Sequence, residues 1–131
     1  MERTSEKEYL TLTGRAHSLA LPLEGIREIL TEGIFGAVAS RRPWMAGVLY
    51  YRKTVIPLVD LRGEASWPPK IAVVCELEGE ALAFAGNGVS RTVTIPREML
   101  KKPPKDGGIS LILEGEALVI PTLEALKGRP S

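Results

Sequence analysis

Few residues in this chain carry side chains suited to chemistry, and their spacing argues against most kinds of it. His17 is the only histidine, Cys75 the only cysteine, and Asp60 and Asp106 the only aspartates. A histidine-based metal site or a catalytic triad needs partner residues at spacings that are not present. His17 therefore reads as an ordinary strand residue within 16–21, and Cys75, in the apolar run 71–75, as a small core residue. The pieces Gly86-Asn87-Gly88 are too short to cradle phosphate, and neither G-x-x-x-x-G-K nor G-x-G-x-x-G occurs. The remaining acids are glutamates, whose meeting in space the sequence leaves open. No enzyme, metal or cofactor is expected.

Binding is the other kind of chemistry, and charge limits its partners. With 17 basic and 16 acidic residues the net charge is +1, so no global field attracts a polyanion. Arg41, Arg42 and Trp44, with Lys101, Lys102 and Lys105, offer charge and one stacking platform, but the usual footprint of a nucleic-acid binder is missing. Arg52 and Glu28 are more suggestive. An exposed arginine presents a planar fork that pairs with carboxylates or caps helix-end carbonyls, and a carboxylate offers the reverse. Taken alone, each also fits a solvated surface charge, Arg52 on a hairpin turn and Glu28 on a helix face.

The elements that position these residues are short strands. Residues 47–62, GVLYYRKTVIPLVDLR, contain two β-branched and aromatic runs around the polar pair Arg52-Lys53, which predicts a hairpin. Pro57 inside the second run cannot donate to a ladder and confines that strand to an edge, a bulge or a barrel corner. Alternation over 9–13 and the run 16–21 predict another hairpin, and 70–77, 80–85 and 89–95 further strands. The spacing of Leu23, Ile26 and Leu30 predicts one or two helical turns, weakened by Gly25. Thr122 is placed to cap a short helix through Leu126. Tyr50 and Tyr51 read either as an interface pair or as strand residues with one ring packed inward.

The hexapeptide Leu-Glu-Gly-Glu-Ala-Leu occurs at 77–82 and again at 113–118, each copy between apolar runs. Each reads as a hairpin turn in which glycine supplies positive φ. Together with the other hairpins they indicate an all-β fold of barrel or sandwich type. Prolines gather at 65–69 and 101–108 without making a domain linker, so 1–131 reads as a single domain. The first ten residues lack the apolar stretch of a secretory signal, and no run approaches the roughly 20 apolar residues of a membrane span, so a cytoplasmic protein without membrane insertion is expected. The chain has no glutamine and one asparagine, a bias that resembles thermophile usage.

This order of features resembles the CheW-like domain, the coupling module of bacterial chemotaxis. The resemblance starts at 20–23, Ala-Leu-Pro-Leu, and Ile26-Arg27-Glu28-Ile29-Leu30. It is most specific through Gly47, Val48, Arg52 and the segment 55–62, and resumes at 83–89. It implies an all-β fold of two small β-barrel lobes packed side by side with short helical segments. It also implies a non-catalytic adaptor that contacts the regulatory domain of a sensory histidine kinase and the cytoplasmic tip of a chemoreceptor. On matching positions Ile26 and Glu28 lie near a partner-contacting edge, and Arg52 carries the contact of the turn. Gly47, Val48, Ala85, Asn87 and Val89 line an inter-lobe groove. Lys53, Tyr50, Tyr51, Asn87 and Pro121 depart from the family pattern. The alternative is therefore an accessory scaffold that has lost a partner and acts by self-association as a homo-oligomer or through another partner.

Overall fold

The computed structural model describes residues 6–14, 17–36, 45–60, 69–104 and 107–127. The expectations for Arg41, Arg42, Trp44, Leu61, Arg62 and most of the 65–69 segment lie outside the described residues. Strand β1 (Glu6–Thr13) pairs antiparallel with β2 (Ser18–Pro22), which is the first expected hairpin. His17 stands in a bend just before β2, so it is not the strand residue the sequence suggested. Pairing of β2 begins one residue later, at Ser18.

The helical turns expected over 23–30 shrink to one 3₁₀ turn, Leu23–Gly25, which runs directly into strand β3 (Ile26–Leu30). Ile26 and Leu30 do not share a face there: the register with the neighbouring strand shifts between Ile26 and Glu28, and the two side chains pack against different cores. A Cβ on Gly25 would collide with the backbone carbonyl of Glu76, so the chain passes there against a neighbouring strand and is drawn into its ladder. Glu28 consequently sits on a strand, and the helix-face reading of it is corrected.

Strand β4 (Ile34–Gly36) follows, and β5 (Met45–Tyr51) and β6 (Thr54–Val59) form the hairpin expected around Arg52-Lys53. Pro57 faces Val48 on β5. On its other side β6 is paired only at Leu58 and Val59, with β8 (Glu80–Gly86). Pro57 thus occupies the last position before the strand becomes two-sided, next to a register shift between Met45 and Gly47. That is where a residue without an N–H is tolerated. The repeated hexapeptide makes two hairpins, β7 (Ile71–Leu77) with β8, and β10 (Gly108–Leu113) with β11 (Glu116–Pro121). In both turns glutamate and then glycine take positive φ, 50° and 85° at Glu78-Gly79 and 53° and 84° at Glu114-Gly115. Strand β9 (Gly88–Pro96) pairs with β1, and a second 3₁₀ turn, Arg97–Lys101, follows it. The short helix α1 (Leu123–Lys127) is capped as expected: the Ala125 amide donates to Thr122 Oγ1 at 3.2 Å.

Among the described residues eleven strands form two curled sheets, ordered β10-β11-β2-β1-β9 and β3-β7-β8-β6-β5-β4. In the second sheet the two outermost strands, β3 and β4, are joined by Thr31, Glu32 and Gly33 alone. The four steps from Leu30 to Ile34 reach at most about 14 Å. A flat sheet of six strands would hold its edges about 24 Å apart. The sheet must curl until its edges meet.

Side-chain alternation then separates three cores. On β7, Ile71, Val73, Cys75 and Leu77 point between the sheets, while Ala72 and Val74 point into the second lobe. On β8, Leu82 and Phe84 face the first sheet, and Ala83 and Ala85 the lobe interior. From the first sheet Leu12, Leu19, Leu21 and Val119 join the shared core, and Ala20, Leu118 and Ile120 fill the first lobe with Tyr9 and Ile95. Strands buried on both faces read as continuous apolar runs, which is what 71–75 shows. Alanines line much of the concave side because a small barrel has little interior volume. Cys75 is fully buried as expected, and burial pushes its thiol up to about 12.

The sheets approach closely at Gly86, where an added Cβ would collide with the buried Leu12 side chain. Gly86→Ala is expected to lose about 1–3 kcal/mol through overpacking. At Gly88 the nearest atom to an added Cβ is Thr13 Oγ1 at 3.6 Å, an ordinary contact. Gly88→Ala should therefore stay within about 0.5 kcal/mol of the parent. Urea unfolding midpoints of the two variants check both values.

Candidate functional site

Where the second sheet closes, the structure brings together two residues that the sequence singled out separately. Glu28 projects from edge strand β3, and Arg52 from the β5–β6 turn on the opposite flank of the sheet. Arg52 Nη2 donates to Glu28 Oε1 at 3.2 Å, and the Tyr51 hydroxyl donates to the same oxygen at 2.9 Å. The Arg52 guanidinium also lies over the Tyr51 ring, 5.2 Å from its centroid. None of these strands is a hydrogen-bonded neighbour of β3, so the polar contacts clasp the seam that the backbone ladder leaves open.

The turn that carries Arg52 is held in an uncommon conformation. Arg52 and Lys53 have φ of 49° and 66°, the left-handed geometry of a two-residue hairpin connection. Neither is glycine, and each side chain costs about 1–2 kcal/mol there. Lys53, one of the expected departures from the family pattern, sits in a tight turn all the same. Arg52 remains 74% exposed as a side chain and Glu28 38%, so the pair is available at the surface. Beside it, Arg27 pairs with Glu76 across β3 and β7. Burial and then the hydrogen bond to Glu28 push the pKa of the Tyr51 phenol up, against the lowering influence of Arg52 and Arg27.

A second clasp spans the first lobe, and sequence reasoning did not find it. Arg91 on edge strand β9 donates through Nη2 to Glu116 Oε1 at 2.8 Å, and its Nη1 lies 3.5 Å from Glu114 Oε1. Both glutamates belong to the second copy of the hexapeptide, on the opposite flank of that sheet. The backbone of Arg91 is tied as well. Its amide donates to Thr11 Oγ1 at 3.0 Å, and the Thr11 hydroxyl donates to its carbonyl at 2.9 Å, replacing ladder bonds at the register shift between Leu10 and Leu12. The duplicated hexapeptide pointed to the turn, but nothing nearby in sequence pointed to Arg91.

The other expected site residues lie apart from the Glu28 clasp. Ile26 is half-buried, pairs with Cys75 and packs against the shared core. Gly47 is buried and Val48 half-buried, opposite Leu58 and Pro57. Four residue steps along β5 separate Gly47 from Tyr51, about 13 Å along the strand. Ala85, 1% exposed, lies within the second lobe and has no side-chain surface to offer a partner. Asn87 is exposed where β8 leads into β9, and its backbone N–H donates to the Thr13 carbonyl at 2.8 Å, tying the two lobes. Val89 is 36% exposed and pairs with Leu12. Tyr51 packs against the second-lobe core, whereas Tyr50 is 51% exposed. Tyr50 stands in register with Ile34 and Val55, themselves 70% and 54% exposed, so an apolar row crosses β4, β5 and β6.

Among the described residues no three His, Cys, Asp or Glu side chains converge as a metal site would require. No helix there is long and apolar enough to cross a membrane. Arrangements of this kind, exposed charge across a seam on the sheet that also carries an apolar row, suit recognition by contact.

Hydrogen bonds from Arg91, and then from the Ser18 hydroxyl, hold the Glu116 carboxyl below its ordinary value of 4.5. A carboxyl depressed in the folded state stabilises above the unfolded value and loses that contribution as pH falls through the folded one. Unfolding stability is therefore expected to fall as the solution is acidified below about pH 4.5, with a shallower acid limb in Glu116→Gln. Thermal unfolding of both proteins from about pH 7 to about pH 3 measures the difference.

Comparison with known proteins gives the following. A family model described as the CheW-like domain matches residues 8–128. Among solved structures, the scaffolding protein TtCheW from Thermoanaerobacter tengcongensis is similar with a TM-score of 0.68 at 15% identity, over 92% of this chain and 91% of that one. At that identity the likeness speaks to the fold. No curated protein matches the sequence significantly.

Proposed function

This chain belongs to the CheW-like domain family, and on that premise we propose that it is a non-catalytic adaptor that couples a chemoreceptor tip to the regulatory domain of a sensory histidine kinase. Family and fold support the coarser role of a chemotaxis scaffold or adaptor. One observation carries the finer reading: Glu28 and Arg52, chosen separately from sequence, meet in one exposed cluster across the seam between two strand edges. In this proposal Ile26, Glu28 and Arg52 face the kinase domain. Val48, Asn87 and Val89 serve the receptor side, with Gly47 and Ala85 contributing only the packing beneath. In this proposal residues 1–131 act as one domain in the cytoplasm.

Charge-assisted hydrogen bonds suit such a contact because they are directional and about twice as strong as neutral ones. A guanidinium that already leans on one carboxylate keeps further N–H groups for a partner's acceptors. A second reading rests on the apolar row Ile34, Tyr50 and Val55, which would suit an accessory scaffold that self-associates.

Calorimetry of the purified protein against the cognate kinase regulatory domain tests the proposal. Binding at micromolar affinity or tighter is expected, on the order of 8 kcal/mol. Arg52→Ala and Glu28→Ala should each weaken it by about tenfold or more, as for hydrogen bonds to charged groups. Absence of heat and of co-elution, together with concentration-dependent self-association in sedimentation, would replace the coupling role by the accessory one.

A further inference from the structure

Taken alone, an ion pair as exposed as Glu28–Arg52 is loosely held, since solvent screens it and both side chains lose rotamer freedom by pairing. Tyr51 changes that. Its ring packs against the core of the second lobe, so the side chain is fixed before any partner arrives. From that anchor its hydroxyl donates to Glu28 Oε1, and its ring face supports the Arg52 guanidinium. Two donors therefore converge on one carboxylate oxygen, and neither uses Oε2. An aliphatic residue at 51 would fill the same space and hold neither group.

We infer that Tyr51 is a positioning residue: it fixes the Glu28 carboxylate and the Arg52 guanidinium in one relative orientation, so that a partner meets a preset acceptor and donor pair. This rests on the adaptor reading and deepens it. The physical gain is preorganisation, because side chains ordered in advance are not ordered at the expense of binding. The charged groups that act on the phenol are Glu28 and Arg27 on β3 and Arg52 on its own turn. The phenol stays protonated, and hence a donor, across the neutral range because burial and Glu28 push its pKa above the ordinary tyrosine value.

The test has one readout that needs no partner. In protein labelled with ¹³Cζ-tyrosine, with the Tyr51 signal assigned by its loss in Tyr51→Phe, the phenol is titrated by NMR. Glu28→Ala should move its midpoint down toward the ordinary tyrosine value, because the carboxylate acceptor favours the protonated phenol. In calorimetry with the kinase regulatory domain, Tyr51→Phe should bind about 3- to 10-fold more weakly. Tyr51→Leu should be weaker still, since the ring beneath the guanidinium is also gone. A purely structural role would lower the unfolding midpoint of Tyr51→Leu while leaving the affinity of the folded variants unchanged. An unshifted phenol in Glu28→Ala overturns the inference, as does a Tyr51→Phe protein of parental affinity. A parent protein that binds no kinase domain, yet shows the phenol shift, overturns the adaptor reading and the binding role of Tyr51 while leaving the bond to Glu28 established.

Discussion

Three residues, Thr31 to Gly33, join the two outermost strands of a six-stranded sheet, and most of the second lobe follows from that short tether. Chain reach across them is about 14 Å, too little for a flat sheet. Curling gives the sheet a concave side with little volume and a convex side with more. Alanines at 72, 83 and 85 occupy the first, and Val73, Leu82 and Phe84 occupy the second. The convex side still needs cover, and the first sheet provides it with Leu12, Leu19 and Leu21. Each of the central strands is thus buried on both faces.

Curling brings edges together without pairing them, and an unpaired seam is a weakness. Backbone groups along an edge invite pairing with another chain. Both lobes meet this with side chains at a hairpin tip: Tyr51 and Arg52 reach Glu28 in one, and Glu114 and Glu116 receive Arg91 in the other. The two clasps use the same chemistry with the charges exchanged between strand and tip. They differ in exposure, since Arg52 is 74% exposed as a side chain and Arg91 42%. The more open of the two is the one proposed to meet the kinase. A surface of that kind is held by the same closure that makes the lobe, so its geometry does not depend on a flexible loop.

Much of the fold was legible because its signals are local. The run 47–62 announces its own hairpin, and Pro57 announces a point where pairing changes side, which is where β8 joins. Both copies of the hexapeptide place glycine where positive φ is needed, and Thr122 precedes a helix that it caps. Residues 23–30 were less legible. Leu23, Ile26 and Leu30 have helical spacing, yet the close passage of Gly25 against Glu76 and the open ladder of β7 draw the segment into a strand. Tertiary pairing there outweighs a weak local preference. At the candidate site, residue types pointed to Glu28 and Arg52 one at a time, and the family resemblance placed both near partners. Neither told that they touch.

The sequence by itself determined most of the strands, the hairpin turns, the near-even charge balance and the all-β class, though not β3 or β4, because alternation, glycine and proline act within a few residues of themselves. Tertiary structure alone decided which strand edges meet, and with that the convergence of Glu28, Tyr51 and Arg52 and the pairing of Arg91 with Glu114 and Glu116. Those contacts join positions 23 or more residues apart that share no ladder, so no local pattern encodes them. They exist because two sheets, held by a shared apolar core and short connections, have to close.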